Sequence, residues 1–176
     1  QVISYFYPAW TYGGVVKVAY EISKQLVDKG HKVTVWTTDV YDKKRRLNVE
    51  KDNPVNIQGI RTYYFRNISN KLSANYNFFF APKILSIAKR EVSKFDVIHL
   101  HEYYAFQNMI VCHYARRCNV PYLLSVHGSF SPACRRQKSK VKKIFTYLFG
   151  KYILNNLSRA IALTKEEKRQ FVIMGI

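Results

Sequence analysis

The sequence lacks any long apolar run. A membrane-spanning helix needs about 20 such residues in succession, and the longest stretches here, such as residues 120–126, are strand-sized. Acidic residues are scarce: 11 Asp and Glu stand against 29 Lys and Arg, for a net charge of +18. A field of that sign attracts phosphates, whether in nucleic acid, an anionic lipid or a diphosphate substrate. The plainer alternative is a more acidic remainder of the protein that balances it. Cysteine is scarce too. Cys112, Cys118 and Cys134 are odd in number and have no CxxC spacing, which argues against a disulfide framework and for reduced thiols in a cytoplasmic protein. No signal peptide is visible; the chain begins at Gln1 without Met, so a few native residues are expected before it. Asn67-Ile-Ser69 and Asn156-Leu-Ser158 match the glycosylation sequon and read as chance occurrences in that compartment. HxxxH and CxxC spacings are missing, so no metal is expected. GxGxxG is missing, so NAD is not expected, nor any other cofactor.

What the sequence does have is a core and a rhythm. Of its 176 residues 48% are apolar, enough for a packed domain rather than a disordered tail. Short β-rich runs alternate with helical ones. Residues 2–7, 32–38, 60–65, 96–101, 122–127 and 160–163 read as strands. Residues 14–29, 82–93, 105–118 and 138–155 read as helices, with a last helix from Thr164. Val15, Val18, Ala19, Ile22 and Leu26 share one face of the first helix, and Gly30 stops it. Residues 41–54 form a polar, basic loop. Thr164-x-x-Glu167 matches a capping box, in which the hydroxyl accepts from an N–H and the carboxylate reaches back. The alternation predicts an α/β fold: a Rossmann-like, doubly wound, mostly parallel sheet with helices on both faces, spanning 1–176 as one domain.

Ligands of open α/β sheets bind beyond the carboxyl ends of the strands. The predicted strands deliver Gly13 and Gly14, Thr37 to Asp39, His101 and Glu102, His127 and Gly128, and Thr164 to that rim. Gly13-Gly14 precedes a helix with no acid in its first turn, so its free N–H groups and dipole suit a phosphate; a tight strand–helix turn explains the pair equally well. His99 and His101 alternate along a strand and share a face. His99 lies mid-strand and reads as a buried structural residue. His127, at a strand end and followed by Gly128, can present its imidazole to a substrate hydroxyl or oxyanion. Its plainer role is to cap nearby backbone.

Residues 135–151 hold seven basic residues and no acid. Val141, Ile144, Phe145, Leu148, Tyr152 and Leu154 recur there at near-helical spacing, as a core-facing stripe behind a solvated basic face or as a dock for an anionic membrane. Residues 75–82, with Tyr76 and Phe78 to Phe80, form an acceptor wall or simply core. A different class of function, a basic nucleic-acid-binding module, would use Tyr63, Tyr64 and Phe65 to stack bases, but no RNP or zinc signature accompanies them.

Taken in order, residues 4–8, Gly13-Gly14, Gly30-His31-Lys32-Val33-Thr34-Val35, Asp96-Val-Ile-His-Leu-His101, Ser125-Val-His-Gly128 and Ala160-Ile-Ala-Leu-Thr-Lys-Glu-Glu167 resemble the N-terminal domain of family 4 retaining glycosyltransferases of the GT-B fold. The resemblance covers nearly the whole chain. It implies transfer of a sugar from a nucleotide-sugar donor to an acceptor hydroxyl, on a glycan or a lipid-linked sugar, without an essential metal. It implies an acceptor-side domain here and a donor-binding domain beyond Ile176, so that these residues alone would be inactive. It puts His127 beside the transferred sugar as the catalytic residue. Gly13, Gly14, His101, Glu102, Gly128 and Thr164 would bind substrate. A cytoplasmic enzyme that associates with an anionic membrane surface and has no specific nucleic-acid partner is the expectation, with a non-catalytic sugar-nucleotide binder as the alternative.

Overall fold

The structure is a computed structural model that describes residues 1–137 and 139–176. Its chain divides into two compact units, residues 1–87 and 88–176. Both are built from parallel strand pairs and helices, the α/β, Rossmann-like class the sequence predicts.

In the first unit a 3-10 turn, Trp10–Tyr12, leads into α1, Gly14–Asp28. Val16, Ala19, Tyr20 and Ser23 lie at helical spacing and form its buried face. Gly30, at φ 86°, ends the helix by letting the chain turn back. The strand β1, Thr34–Thr38, follows, then the hairpin β2, Pro54–Ile57, and β3, Ile60–Phe65. β3 lies between the other two, parallel to β1 and antiparallel to β2. Gln58 and Gly59 make the two-residue turn with φ of 50° and 85°, the pattern that matches strand twist in a tight hairpin. A side chain at Gly59 would meet Val27 of α1 at 2.8 Å, so glycine is needed there for close approach as well as for φ. Ile3, Phe6, Ala19, Tyr20, Val33, Val35 and Ile60 form one core cluster. α2, Asn70–Tyr76, is capped by Ser69 and ends at Asn77 in a left-handed conformation. α3, Lys83–Glu91, carries the chain onward.

Several expectations are corrected here. Among the described residues, residues 2–7 form no named strand and make an isolated bridge, Val2 to Trp36. Beyond it the Thr38 hydroxyl donates to Ser4 O at 2.6 Å, so a side chain supplies the bond that a continuing ladder would. The loop of residues 41–54 ends in β2, and α2 is an extra helix. Of the aromatic run, Phe79 is buried among Tyr5 and Tyr12, whereas Tyr76 and Phe78 are exposed.

The second unit opens with a 3-10 turn, Val92–Lys94. Its strands are β4, Ile98–His101, β5, Tyr122–Ser125, and β6, Arg159–Ile161, all parallel in the order β4-β5-β6. α4, Phe106–Arg117, connects β4 to β5. The helix expected over 138–155 is present over residues 139–154, with a π turn in its middle. Lys138 lies outside the described residues. The short α5, Pro132–Arg136, precedes it, and α6, Ser139–Phe145, runs through a π turn, Thr146–Gly150, into α7, Lys151–Leu154. α7 is anchored where the Tyr122 hydroxyl donates to Ile153 O at 2.7 Å. The expected core-facing stripe splits. Ile153 is buried, and Phe145, Tyr152 and Leu154 are half-buried. Val141, Ile144 and Leu148 face solvent. α8, Lys165–Ile173, closes the chain.

Candidate active site

β4 and β5 pair in parallel with His99 opposite Leu123 and His101 opposite Ser125, so both strands release their carboxyl ends at one rim of the second unit. Strand alternation aims His99 and His101 to the same side. His99 Nε2 lies 2.8 Å from Ser125 Oγ, and His101 Nδ1 lies 2.8 Å from His127 Nε2. The ring centroids of His99 and His101 are 4.2 Å apart, and those of His101 and His127 are 5.1 Å apart at an interplanar angle of 7°. Three imidazoles therefore stand in a row that ends at the rim.

Burial sets their charge. It pushes His99 down to about 3 and His101 well below the ordinary histidine value, the neighbouring imidazoles adding to the effect for both. His127 is lowered by burial too, opposed by the negative charge of Glu167. The row is neutral near pH 7. In the His101–His127 contact one ring nitrogen donates and the other accepts. The second nitrogen of His127, Nδ1, takes the complementary role, which suits an imidazole that donates to or accepts from a hydroxyl.

The backbone at both strand exits is left-handed. Glu102 has φ 64°, His127 47° and Gly128 74°. Non-glycine residues adopt this conformation at a cost of about 1–3 kcal/mol and keep it only where surroundings enforce it. At His127 the enforcer is Glu167. Its Oε1 accepts from Gly128 N at 2.6 Å and its Oε2 from Leu163 N at 2.7 Å, with the residue buried at 7% exposure. At Glu102 it is Asn108 of α4, fully buried, whose Nδ2 donates to His101 O at 3.2 Å and Glu102 O at 2.6 Å. Glu102 N also donates to Ser125 O at 2.9 Å, tying the two exits together.

The structure brings His101, His127 and Gly128 together, with Glu102 directly beyond His101. Thr164 joins them indirectly: its hydroxyl accepts from Glu167 N at 3.1 Å as the cap of α8. The expected capping box is half realised, because the carboxylate reaches Leu163 and Gly128 rather than the cap's own N–H. Gly13 and Gly14 lie in the first unit at the start of α1. Open space surrounds the position of a side chain at either, as it does at Gly128, and Gly13 has φ 80°. Sequence reasoning missed Asn108, which carries no motif, and gave Glu167 only a local role. Among the described residues no group of three His, Cys, Asp or Glu is arranged to hold a metal. Tyr63, Tyr64 and Phe65 are core residues at 2% exposure or less, so they are not available to stack nucleic-acid bases, and that alternative loses its aromatic support. Asn67 of the first sequon is buried, with its amide bonded to Ser73. No helix among the described residues is long and apolar enough to cross a membrane.

The family model described as Glycosyltransferase Family 4 matches residues 12–176. The chain belongs to glycosyltransferase family 4. This family-4 domain is the N-terminal, Rossmann-like domain of a GT-B glycosyltransferase, and its strand-end histidines lie within the matched region. Among curated proteins the family-4 domain has no match.

Proposed function

We propose that this family-4 domain is the acceptor-side half of an enzyme that moves a sugar from a nucleotide-sugar donor to an acceptor hydroxyl with retention of configuration. The donor would be held chiefly by a second domain of the whole protein. The observation that carries the reading is the neutral His101–His127 pair at the exit of two parallel strands, in a chain of this family. Retaining transfer builds positive charge on the sugar and negative charge on the departing phosphate. A neutral imidazole bonded to a sugar hydroxyl holds the ring without opposing the first charge. Gly128 leaves space for the ligand to approach, and Glu167 and Asn108 keep the two exits fixed, so little reorganisation is needed at the moment of reaction. Gly13 and Gly14, with the unacidic start of α1 behind them, suit the donor diphosphate or the acceptor. The acceptor is a glycan or a lipid-linked sugar, and the basic stretch of residues 135–151 draws the enzyme to an anionic membrane face of the cytoplasm.

The test incubates the full-length protein with a panel of nucleotide sugars and acceptors, and reads the anomeric configuration of the product by NMR. Transfer with retention is expected from the full-length protein and none from residues 1–176 alone. Turnover by residues 1–176 alone at about 1 per second or faster, or an inverted product, would overturn the reading.

A further inference from the structure

The second unit holds a cavity of 1050 Å³ that none of His101, His127, Gly128 or Glu167 lines. Among the described residues Arg135, Arg136, Lys142, Lys143 and Lys151 line it, and no carboxylate does. Two local devices shape it. The π turn adds a residue to the helical turn, and such widened turns recur at functional sites; here Thr146, Tyr147 and Gly150 of that turn all line the cavity. Gly150 packs directly against the Tyr103 hydroxyl, so closely that any side chain there would collide with it. Lys142 is held in place: its Nζ donates to Cys134 O, lies 3.0 Å from Cys134 Sγ, and sits 5.0 Å from the centre of the Tyr104 ring.

Five cations around one space, with no counter-charge among the described residues, suit an anion of more than one charge. A phosphomonoester or diphosphate meets that condition and a single carboxylate does not. The same helical segment carries an apolar row beside the cations. Val141, Ile144, Tyr147 and Leu148 stand at spacings of 3, 3 and 1 along it, and are 48%, 59%, 85% and 56% exposed. A basic cavity edged by an uncovered apolar row fits a ligand with a phosphate at one end and a hydrocarbon chain at the other.

We propose that this cavity binds the phosphate or diphosphate headgroup of a lipid, whose chain lies along Val141, Ile144, Tyr147 and Leu148. This names the acceptor class for the function proposed above, a lipid phosphate rather than a free glycan, and rests on that reading.

The test is flotation of the full-length protein with three vesicle types: neutral phosphatidylcholine, phosphatidylcholine with phosphatidylglycerol, and phosphatidylcholine with phosphatidic acid at matched surface charge. Wild type should bind the phosphatidic acid vesicles at least about tenfold more tightly than the phosphatidylglycerol ones, because a monoester presents a doubly charged, accessible headgroup. Arg135→Gln/Lys143→Gln/Lys151→Gln should abolish that preference. Lys29→Gln/Lys32→Gln/Arg66→Gln, which removes the same charge from exposed positions of the first unit, should keep it. Val141→Ser/Ile144→Ser/Leu148→Ser should weaken vesicle binding while leaving binding of inorganic pyrophosphate intact. Equal binding to both acidic vesicles, or equal losses in the two charge variants, would show a diffuse field and overturn the site. Pyrophosphate binding with no vesicle binding would mean a soluble phosphate ligand and overturn the lipid assignment. Nucleotide-sugar turnover measured in parallel separates the two ideas. Turnover without vesicle preference sinks only the lipid site, and vesicle preference without turnover sinks the transferase reading.

Discussion

Replacing Glu167 should cost both stability and activity. Its carboxylate accepts two short bonds, from Gly128 N at 2.6 Å and Leu163 N at 2.7 Å, and is almost entirely buried. Hydrogen bonds to a charged group are worth about 1.5–3 kcal/mol each. Glu167→Gln retains the shape and one acceptor oxygen, but turns an NH2 group toward one of the two backbone donors. One charged bond is lost and the other becomes neutral, so a loss of about 2–4 kcal/mol is expected. Glu167→Ala removes both acceptors and leaves a small void, for about 3–6 kcal/mol. The left-handed turn at His127 and Gly128 would lose its tether in both variants, so kcat/KM should fall by about tenfold or more even in Glu167→Gln, with stability still sufficient for folding. Urea unfolding followed by circular dichroism, beside kinetics of the full-length enzyme, measures the two effects. A Glu167→Gln protein within about 0.5 kcal/mol of wild type would refute the claim that this carboxylate pins the turn. Lost stability with unchanged kinetics would show that the turn does not need pinning for catalysis.

His127→Ala in the full-length enzyme should lower kcat/KM by about 100-fold, or 2.7 kcal/mol, and lower stability by about 1–3 kcal/mol because the buried His101–His127 bond is lost; full activity would reduce His127 to a structural role. Acid should destabilise the protein through the imidazole row. His99 is lowered to about 3 in the folded state, against about 6.5 unfolded, so its contribution is complete above pH 6.5 and is lost as pH falls from there toward 3. The slope is about 1.4 kcal/mol per pH unit for each histidine kept neutral. A urea midpoint unchanged between pH 7 and pH 5 would contradict this. Gly150→Ala should destabilise by about 1–3 kcal/mol through collision with the Tyr103 hydroxyl. Tyr103→Phe in the same chain should recover part of that loss in a thermal melt; no recovery would locate the strain elsewhere.

Local pattern determined much of this protein. The apolar spacing of α1 and its glycine stop put the helix at Gly14–Asp28, one residue short of the reading at 14–29. β3 was legible residue for residue, and Thr164 marked the start of α8. These features depend on neighbours within a turn or two, where side-chain period and capping chemistry act. The ordered landmarks also pointed to the family. Other features turn on partners far along the chain. Residues 2–7 have strand composition, but composition does not fix pairing, and the segment meets β1 through the Val2–Trp36 bridge and the Thr38 hydroxyl bond to Ser4 O. β2 was hidden because Gln58-Gly59 is a weaker turn signal than Asn-Gly, and its identity as a strand comes from pairing with β3. The stripe in 138–155 showed which residues share a helix face but not whether anything covers it, since periodicity measures direction and not burial. Glu167 could be read as a cap from its spacing to Thr164. Its bond to Gly128, 39 positions away, exists only because parallel strands bring their carboxyl ends to one rim. The same arrangement lines up His99, His101 and His127. The sequence could place His99 and His101 on one strand and His127 at the exit of the next, but their contact required two strands to pair in one register, and their neutrality required burial away from water.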